Sequence, residues 1–135
     1  MPITVTWDDA EKTVLLLDFT GKWTWTDYDA ARTTVYTTLD PVKHRVAMIV
    51  DFHDSQYVPH DILMHARHAL DTSHPALDTY VLVGANTFLR HIYQLLERAF
   101  PLLTARHAVL FAGTREDARA QLAAYRQQSS EPDRH

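Results

Sequence analysis

The feature that most constrains the fold is a regular alternation of short apolar runs with amphipathic helical patterns. Three apolar runs are each followed by a helical pattern; the pairs are residues 44–51 with 61–70, 80–83 with 87–100, and 108–111 with 115–125. Short continuous apolar runs between glycines or polar turns are typical of parallel strands that are buried on both faces. Strands that alternate with helices predict right-handed crossovers and a layered α/β domain.

The N-terminal third predicts a β-hairpin that leads into a further helix. Apolar residues alternate with threonines over residues 3–7, which indicates a half-exposed strand, and residues 13–19 form its predicted partner. Thr26 is a candidate N-cap for a helix that Pro41 ends. The aromatic residues of this third could line an apolar pocket, but an ordinary core role is favoured. They are Trp7, Trp23, Trp25, Tyr28 and Tyr36.

These patterns together predict one domain over residues 1–126 and a disordered polar tail over residues 127–135. The expected architecture is an α/β domain with a mixed, mostly parallel sheet of about five strands. The N-terminal hairpin supplies its antiparallel edge, and about four helices cover it.

The composition excludes several functional classes. The chain has 135 residues, a net charge of −4 and no cysteine. A negative net charge without a cluster of basic residues does not favour binding to a nucleic acid. Without cysteine there is neither a thiolate nucleophile nor a cysteine metal site. No apolar stretch approaches the roughly 20 residues of a membrane-spanning helix, and the first residues lack a signal-peptide pattern. A cytoplasmic location is therefore expected.

Three stretches are similar to motifs of a known family. Residues 19–28 (FTGKWTWTDY) resemble a G-x-h-T-x-x-D-Y motif at the start of the first helix, residues 46–52 resemble a central strand that ends in Asp, and residues 111–118 resemble a final strand, turn and E-D-A helix start. On these stretches the chain resembles the SpoIIAA-like family, whose members are related to STAS domains and are sometimes labelled STAS/SEC14. The resemblance covers most of residues 3–125 and implies a STAS-like α/β fold.

The resemblance implies two kinds of function. STAS domains of the anti-sigma antagonist type are switched by phosphorylation of a serine in a D-S-S/T-G turn, but His60 and Asp61 occupy the matching region, without that serine or the glycine. We therefore expect a non-catalytic interaction or regulatory domain that lacks the phosphoacceptor and needs no cofactor. The alternative, implied by SEC14-type relatives, is a carrier of a small non-polar ligand between the sheet and residues 87–100.

A histidine-rich stretch raises the possibility of a metal site. Asp61, His65 and His68 follow one another at i, i+4 and i+7, so a helix would place them on one exposed face. Histidine and aspartate at such a spacing are able to bind zinc. The stretch has no HExxH arrangement, so a solvated helix face is favoured and no metal is predicted.

The end of the central strand is the other candidate site. Asp51 and His53 together would suit acid–base chemistry, but aspartate at a strand end more often stabilises the next turn, so no catalytic residue is predicted. The broad apolar face of residues 87–100 favours a buried contact, with another protein or with a second copy in a homodimer. The candidate residues for binding a ligand or partner are Asp51, His53, Asp54, Tyr57, His60, Phe88 and Ile92.

Overall fold

Five strands form one sheet in the order β1-β2-β3-β4-β5 within the residues that the computed structural model describes, 2–55, 60–84 and 87–130. The strands are β1 (Ile3–Trp7), β2 (Val14–Gly21), β3 (Val46–Ser55), β4 (Leu77–Val83) and β5 (Ala108–Ala112). β1 pairs antiparallel with β2, and every other neighbouring pair is parallel. The predicted α/β domain, with its mixed sheet and N-terminal hairpin, is confirmed.

The helices agree with the predicted pattern, with two differences at the C-terminal side. They are α1 (Trp25–Leu39), α2 (Ile62–Asp71), α3 (Thr87–Ala99), α4 (Pro101–Thr104) and α5 (Arg115–Ser130). The short helix α4 was not predicted; Pro101 occupies its first turn, where a missing N–H costs nothing. Helix α5 continues through residues 127–130, which were predicted to belong to a disordered tail, and residues 131–135 lie outside the described part.

The order of the strands determines where the helices lie. Each crossover moves one strand further in the same direction, and right-handed crossovers of this kind all pass over the same face of a sheet. Helices α1, α2 and α3 therefore cover one face, while α5, which follows the last strand, packs on the opposite face. Three helices must share one side of a five-stranded sheet.

Alternate residues of the central strands enter two separate cores. Leu17 and Val50 face the side covered by α1, whereas Leu16 and Ile49 face α5. This alternation with both faces buried explains the continuous apolar runs of β2 and β3. No helix among the described residues combines the length and the apolar character that crossing a membrane requires.

The first helix begins two residues earlier than predicted. Thr24, not Thr26, is its N-cap: the Thr24 hydroxyl accepts the N–H of Asp27 at 3.2 Å, and the Asp27 carboxylate accepts the N–H of Thr24 at 2.9 Å. This is a complete capping box. Thr26 is also followed by an aspartate three residues later, Asp29, so the spacing could not distinguish the two positions.

Candidate ligand-binding cavity

A cavity of about 190 Å³ lies between the sheet and helices α1, α2 and α3. Its walls are mainly apolar. Side chains of the three central strands form the floor; they include Leu17, Met48, Val50, Leu77 and Leu82. Ile92 and Leu96 of α3 close one side. The cavity therefore occupies the region in which a sheet and its covering helices normally meet in a filled core.

Helix α2 forms the roof and explains why the space is open. None of its residues is fully buried, although Ile62, Ala66 and Ala69 point into the cavity. The helix packs closely on α3 and α4 rather than on the strands beneath it. Because alanine side chains are short, they do not reach the floor, and the gap below α2 stays unfilled by the protein.

Side chains link α1 to α2 at both ends of the cavity. At the N-terminal ends of the helices, the Trp25 ring stacks on His65 at 3.7 Å between centroids, and its Nε1 donates to the His60 carbonyl at 3.0 Å. At the C-terminal ends, the Tyr36 hydroxyl donates to the Thr72 carbonyl. The two helices thus run side by side in the same direction, with the cavity between these links.

Polar groups gather on the α1 side and at the C-terminal end of α2. Arg32 lines the cavity and is half-buried, with its guanidinium carbon 5.4 Å from the centre of the Tyr36 ring. Burial raises the pKa of Tyr28 and of Tyr80 to about 12, so both phenols stay neutral near pH 7. The Tyr80 hydroxyl is hydrogen-bonded to Ser73.

The predicted interpretation of the aromatic residues as ordinary core is only partly right. Trp23 is fully buried, and its Nε1 donates to the Ser55 hydroxyl at 3.0 Å. Trp25, Tyr28 and Tyr36 are only partly buried and line the cavity together with part of the Trp23 ring. The residues of α1 that line the cavity, 25, 28, 32 and 36, recur at helical spacing and therefore lie on one side of the helix.

The predicted Asp61, His65 and His68 face does not exist as a single exposed stripe. His65 belongs to the cavity side of α2, since it is one turn from Ile62 and Ala69 and stacks on Trp25. His68 is exposed, and Asp61 has a left-handed backbone (φ 64°) with its carboxylate 3.9 Å from His60. Within residues 2–55, 60–84 and 87–130, no three His, Asp or Glu side chains are grouped to hold a metal ion.

Asp51 is buried on the α5 face of the sheet, away from the cavity. Its Oδ2 accepts from Arg115 Nε at 2.5 Å, and its Oδ1 accepts the backbone N–H of His53 at 2.8 Å. Arg115 also contacts the Asp18 carboxylate at 2.8 Å. The prediction that the central strand ends at Asp51 is wrong, because β3 continues to Ser55. Asp51 lies inside β3, where the β2–β3 register shifts, and there it anchors α5 to the sheet.

His53 and Asp54 are exposed residues of the last part of β3. The His53 imidazole contacts Asp54 at 3.1 Å and not Asp51, and the side chains of His53 and Asp54 are 71% and 64% exposed. The acid–base pair that was considered for Asp51 and His53 is therefore not formed by their side chains. Gly84 packs against this part of β3, since a Cβ there would lie 3.0 Å from the His53 backbone.

The remaining candidate residues are divided between the cavity and the surface. Ile92 lines the cavity, whereas Phe88 is 52% exposed and points away from the buried side of α3. His60 is exposed; its carbonyl accepts from Trp25 Nε1, and its imidazole lies 3.9 Å from the Asp61 carboxylate. Tyr57 lies outside the described residues.

Sequence reasoning named Tyr28 and Tyr36 as pocket residues only in its less favoured interpretation, and it missed Arg32, Ser73 and Tyr80. Tyr28, Arg32 and Tyr36 carried a usable signal, since they recur at i, i+4 and i+8 on the predicted first helix. Ser73 and Tyr80 carried no such signal, because only the folding of the chain brings them to the same cavity as the residues of α1. Comparisons of the chain with protein-family models, with curated proteins and with solved structures found no match.

Proposed function

We propose that this protein binds a small, mainly apolar ligand in the cavity under α2. The observation that carries the proposal is a helix with no fully buried residue, held over an apolar floor by side-chain links to its neighbour. Ligand sites are concave and mostly apolar, with a few placed polar groups. The arrangement supports a binding role without chemistry on the ligand.

A ligand in the cavity would stabilise the fold. Residual volume in a closed core costs about 24 cal/mol per Å³, so 190 Å³ left empty would cost up to about 5 kcal/mol. That is a large share of the 5–15 kcal/mol by which domains are typically stable. An apolar cavity of roughly 150 Å³ in another protein stays dry and binds benzene, so the volume here suits a ligand of that size or slightly larger.

This proposal follows the carrier alternative rather than the favoured interpretation from sequence. It agrees with what a SEC14-type relative would do, and membership of the SpoIIAA-like family stays a prediction. A test is binding of an apolar fluorescent probe, anilinonaphthalene sulfonate, to the native protein, followed by native mass spectrometry of the protein as purified. We expect saturable probe binding, or a retained ligand that competes with the probe.

A matched pair of variants locates the binding. Ala66→Phe places a ring in the cavity, whereas Ala120→Phe places the same ring on the exposed face of α5. We expect Ala66→Phe to lose most of the probe signal and Ala120→Phe to keep it. Equal binding by both variants and by the unaltered chain would refute the cavity as the site.

The interaction or regulatory role is a second candidate. Its support is that Met64, Phe88 and Leu102 are 55%, 52% and 86% exposed on the three helices α2, α3 and α4, which pack together. The apolar side of α3 that carries Leu89 and Leu96 is already buried within the chain. If a homodimer forms here, sedimentation of the protein should show a dimer that Phe88→Ser dissociates.

A further inference from the structure

The cavity contains one cationic group whose charge is not neutralised by a carboxylate. Arg32 lies half-buried at the cavity wall, and no Asp or Glu in the described ranges 2–55, 60–84 and 87–130 is within ion-pair distance of it. Its contact is with the face of the Tyr36 ring. A cation next to an apolar space and without a counter-charge is well placed to bind an anion.

Most other polar groups around the cavity already have partners. The Tyr36 hydroxyl donates to Thr72, and Tyr80 is paired with Ser73. His74 uses both ring nitrogens, since Nδ1 accepts the Ala76 N–H at 3.0 Å and Nε2 lies 3.1 Å from the Asp40 carboxylate. These groups fix the walls and leave little capacity for a ligand.

Among the polar groups of α1 that line the cavity, the Tyr28 hydroxyl has unused hydrogen-bonding capacity. It lies one helical turn from Arg32 on α1, lines the same cavity and is hydrogen-bonded to no group among the described residues. Because burial raises its pKa to about 12, the hydroxyl is a neutral donor near pH 7. Arg32 and Tyr28 thus present unused donors, side by side, at the edge of an apolar space.

We infer that the ligand is an amphipathic carboxylate, whose apolar body fills the cavity and whose carboxylate binds the Arg32 guanidinium, with the Tyr28 hydroxyl as a second donor. A planar guanidinium matches the two oxygens of a carboxylate. One arginine and one phenol are few donors for a phosphate dianion. The cavity of about 190 Å³ is somewhat larger than the roughly 150 Å³ that accepts benzene, which suits a medium-chain or aromatic acid.

This inference rests on the proposed function, and the experiment separates the two. Calorimetry would compare octanoate, octanol and octyl phosphate, which share one chain and differ in the head group. We expect octanoate to bind at least about tenfold more tightly than octanol, as hydrogen bonds to a charged group allow. Failure of octanoate and octanol alike, together with the apolar probe, would refute cavity binding itself.

Variants test the head-group contact. Arg32→Gln should remove the preference for octanoate over octanol, Arg32→Lys should keep part of that preference, and Tyr28→Phe should weaken octanoate binding a few-fold. Arg98→Gln, at an exposed arginine of α3, is the control and should have no effect. The ratio of the two affinities within one variant does not depend on how much of the sample is folded.

Two results would overturn the carboxylate assignment while leaving the proposed function intact. One is octanol binding as tightly as octanoate to the unaltered protein. The other is octyl phosphate binding more tightly than octanoate, which would mean that Arg32 binds the head group of a phosphate ester.

Discussion

The rings of Trp25 and His65 are stacked, with centroids 3.7 Å apart and an angle of 7° between the ring planes. This contact joins the first turn of α1 to α2 across the cavity, and the Trp25 Nε1 adds a hydrogen bond to the His60 carbonyl. The pair therefore fixes the distance between α1 and α2 through side chains, because the backbones of these two helices do not pack closely on each other.

Replacing Trp25 should reveal what this link contributes. Trp25→Leu removes the stack and the hydrogen bond, and we expect the free energy of unfolding in urea to fall by about 2 kcal/mol, because the ring is half-buried and a fully buried one would cost 3–5. Trp25→Phe keeps a ring and loses only the N–H donor, so about 1 kcal/mol is expected. An equal loss in both variants would show that stacking on His65 adds nothing.

The Arg115 contact with Asp51 should be the most costly ion pair to break. The Asp51 side chain is 5% exposed, so Arg115→Ala leaves a buried carboxylate without its cation, and we expect a loss of about 2–3 kcal/mol in urea unfolding. The control is Arg106→Ala, which breaks a pair with both side chains 60% exposed and should cost less than about 1 kcal/mol. Similar losses in the two variants would contradict the anchoring role of Asp51.

Alkaline pH should destabilise the fold through the cavity tyrosines. In the unfolded chain Tyr28 and Tyr80 ionise near 10.0, whereas burial raises the pKa of each to about 12 in the folded protein. Between these values the unfolded chain binds fewer protons, so stability falls as pH rises, by up to about 1.4 kcal/mol per pH unit for each tyrosine. Their contribution is fully present below pH 10.

Urea unfolding at several pH values between about 9 and 12 measures this slope. Tyr28→Phe should make it shallower, whereas Tyr125→Phe, on α5 and outside the cavity, serves as the control. An unchanged slope in Tyr28→Phe would mean that its phenol is not buried as described.

The helix cap gives a prediction with a close control. Thr24→Ala removes the side chain that accepts the Asp27 N–H, and we expect a loss of about 1 kcal/mol in thermal or urea unfolding. Thr26→Ala changes an exposed residue inside the first turn, and because alanine has the higher helix propensity, no loss and a gain of up to about 0.6 kcal/mol is expected there. The reverse order of the two effects would restore Thr26 as the N-cap.

Local patterns in the sequence were enough to predict the architecture. The continuous apolar runs of β3 and β5 and the period of helical residues in α3 and α5 are encoded within a few neighbouring positions, so strand type, helix type and a mostly parallel sheet could be derived from them. The ends of elements were less certain. Thr24 and Thr26 carry the same local signal, and Pro101 starts a short separate helix that the predicted pattern, which ended at residue 100, did not include.

The candidate site depends on contacts that no local pattern contains. Tyr36 meets Thr72, and Arg115 meets Asp51, across 36 and 64 positions of the chain. The sequence by itself determined which of these residues belong to or adjoin a helix and that Asp51 belongs to the central strand, although it placed the end of that strand too early. Only the tertiary structure decided that α1, α2 and α3 share one face, that α2 stands away from the strands, and that Arg32 and Tyr28 border the resulting space. The physical reason is that a cavity is set by the distances between packed elements, and those distances depend on side chains far apart in the sequence.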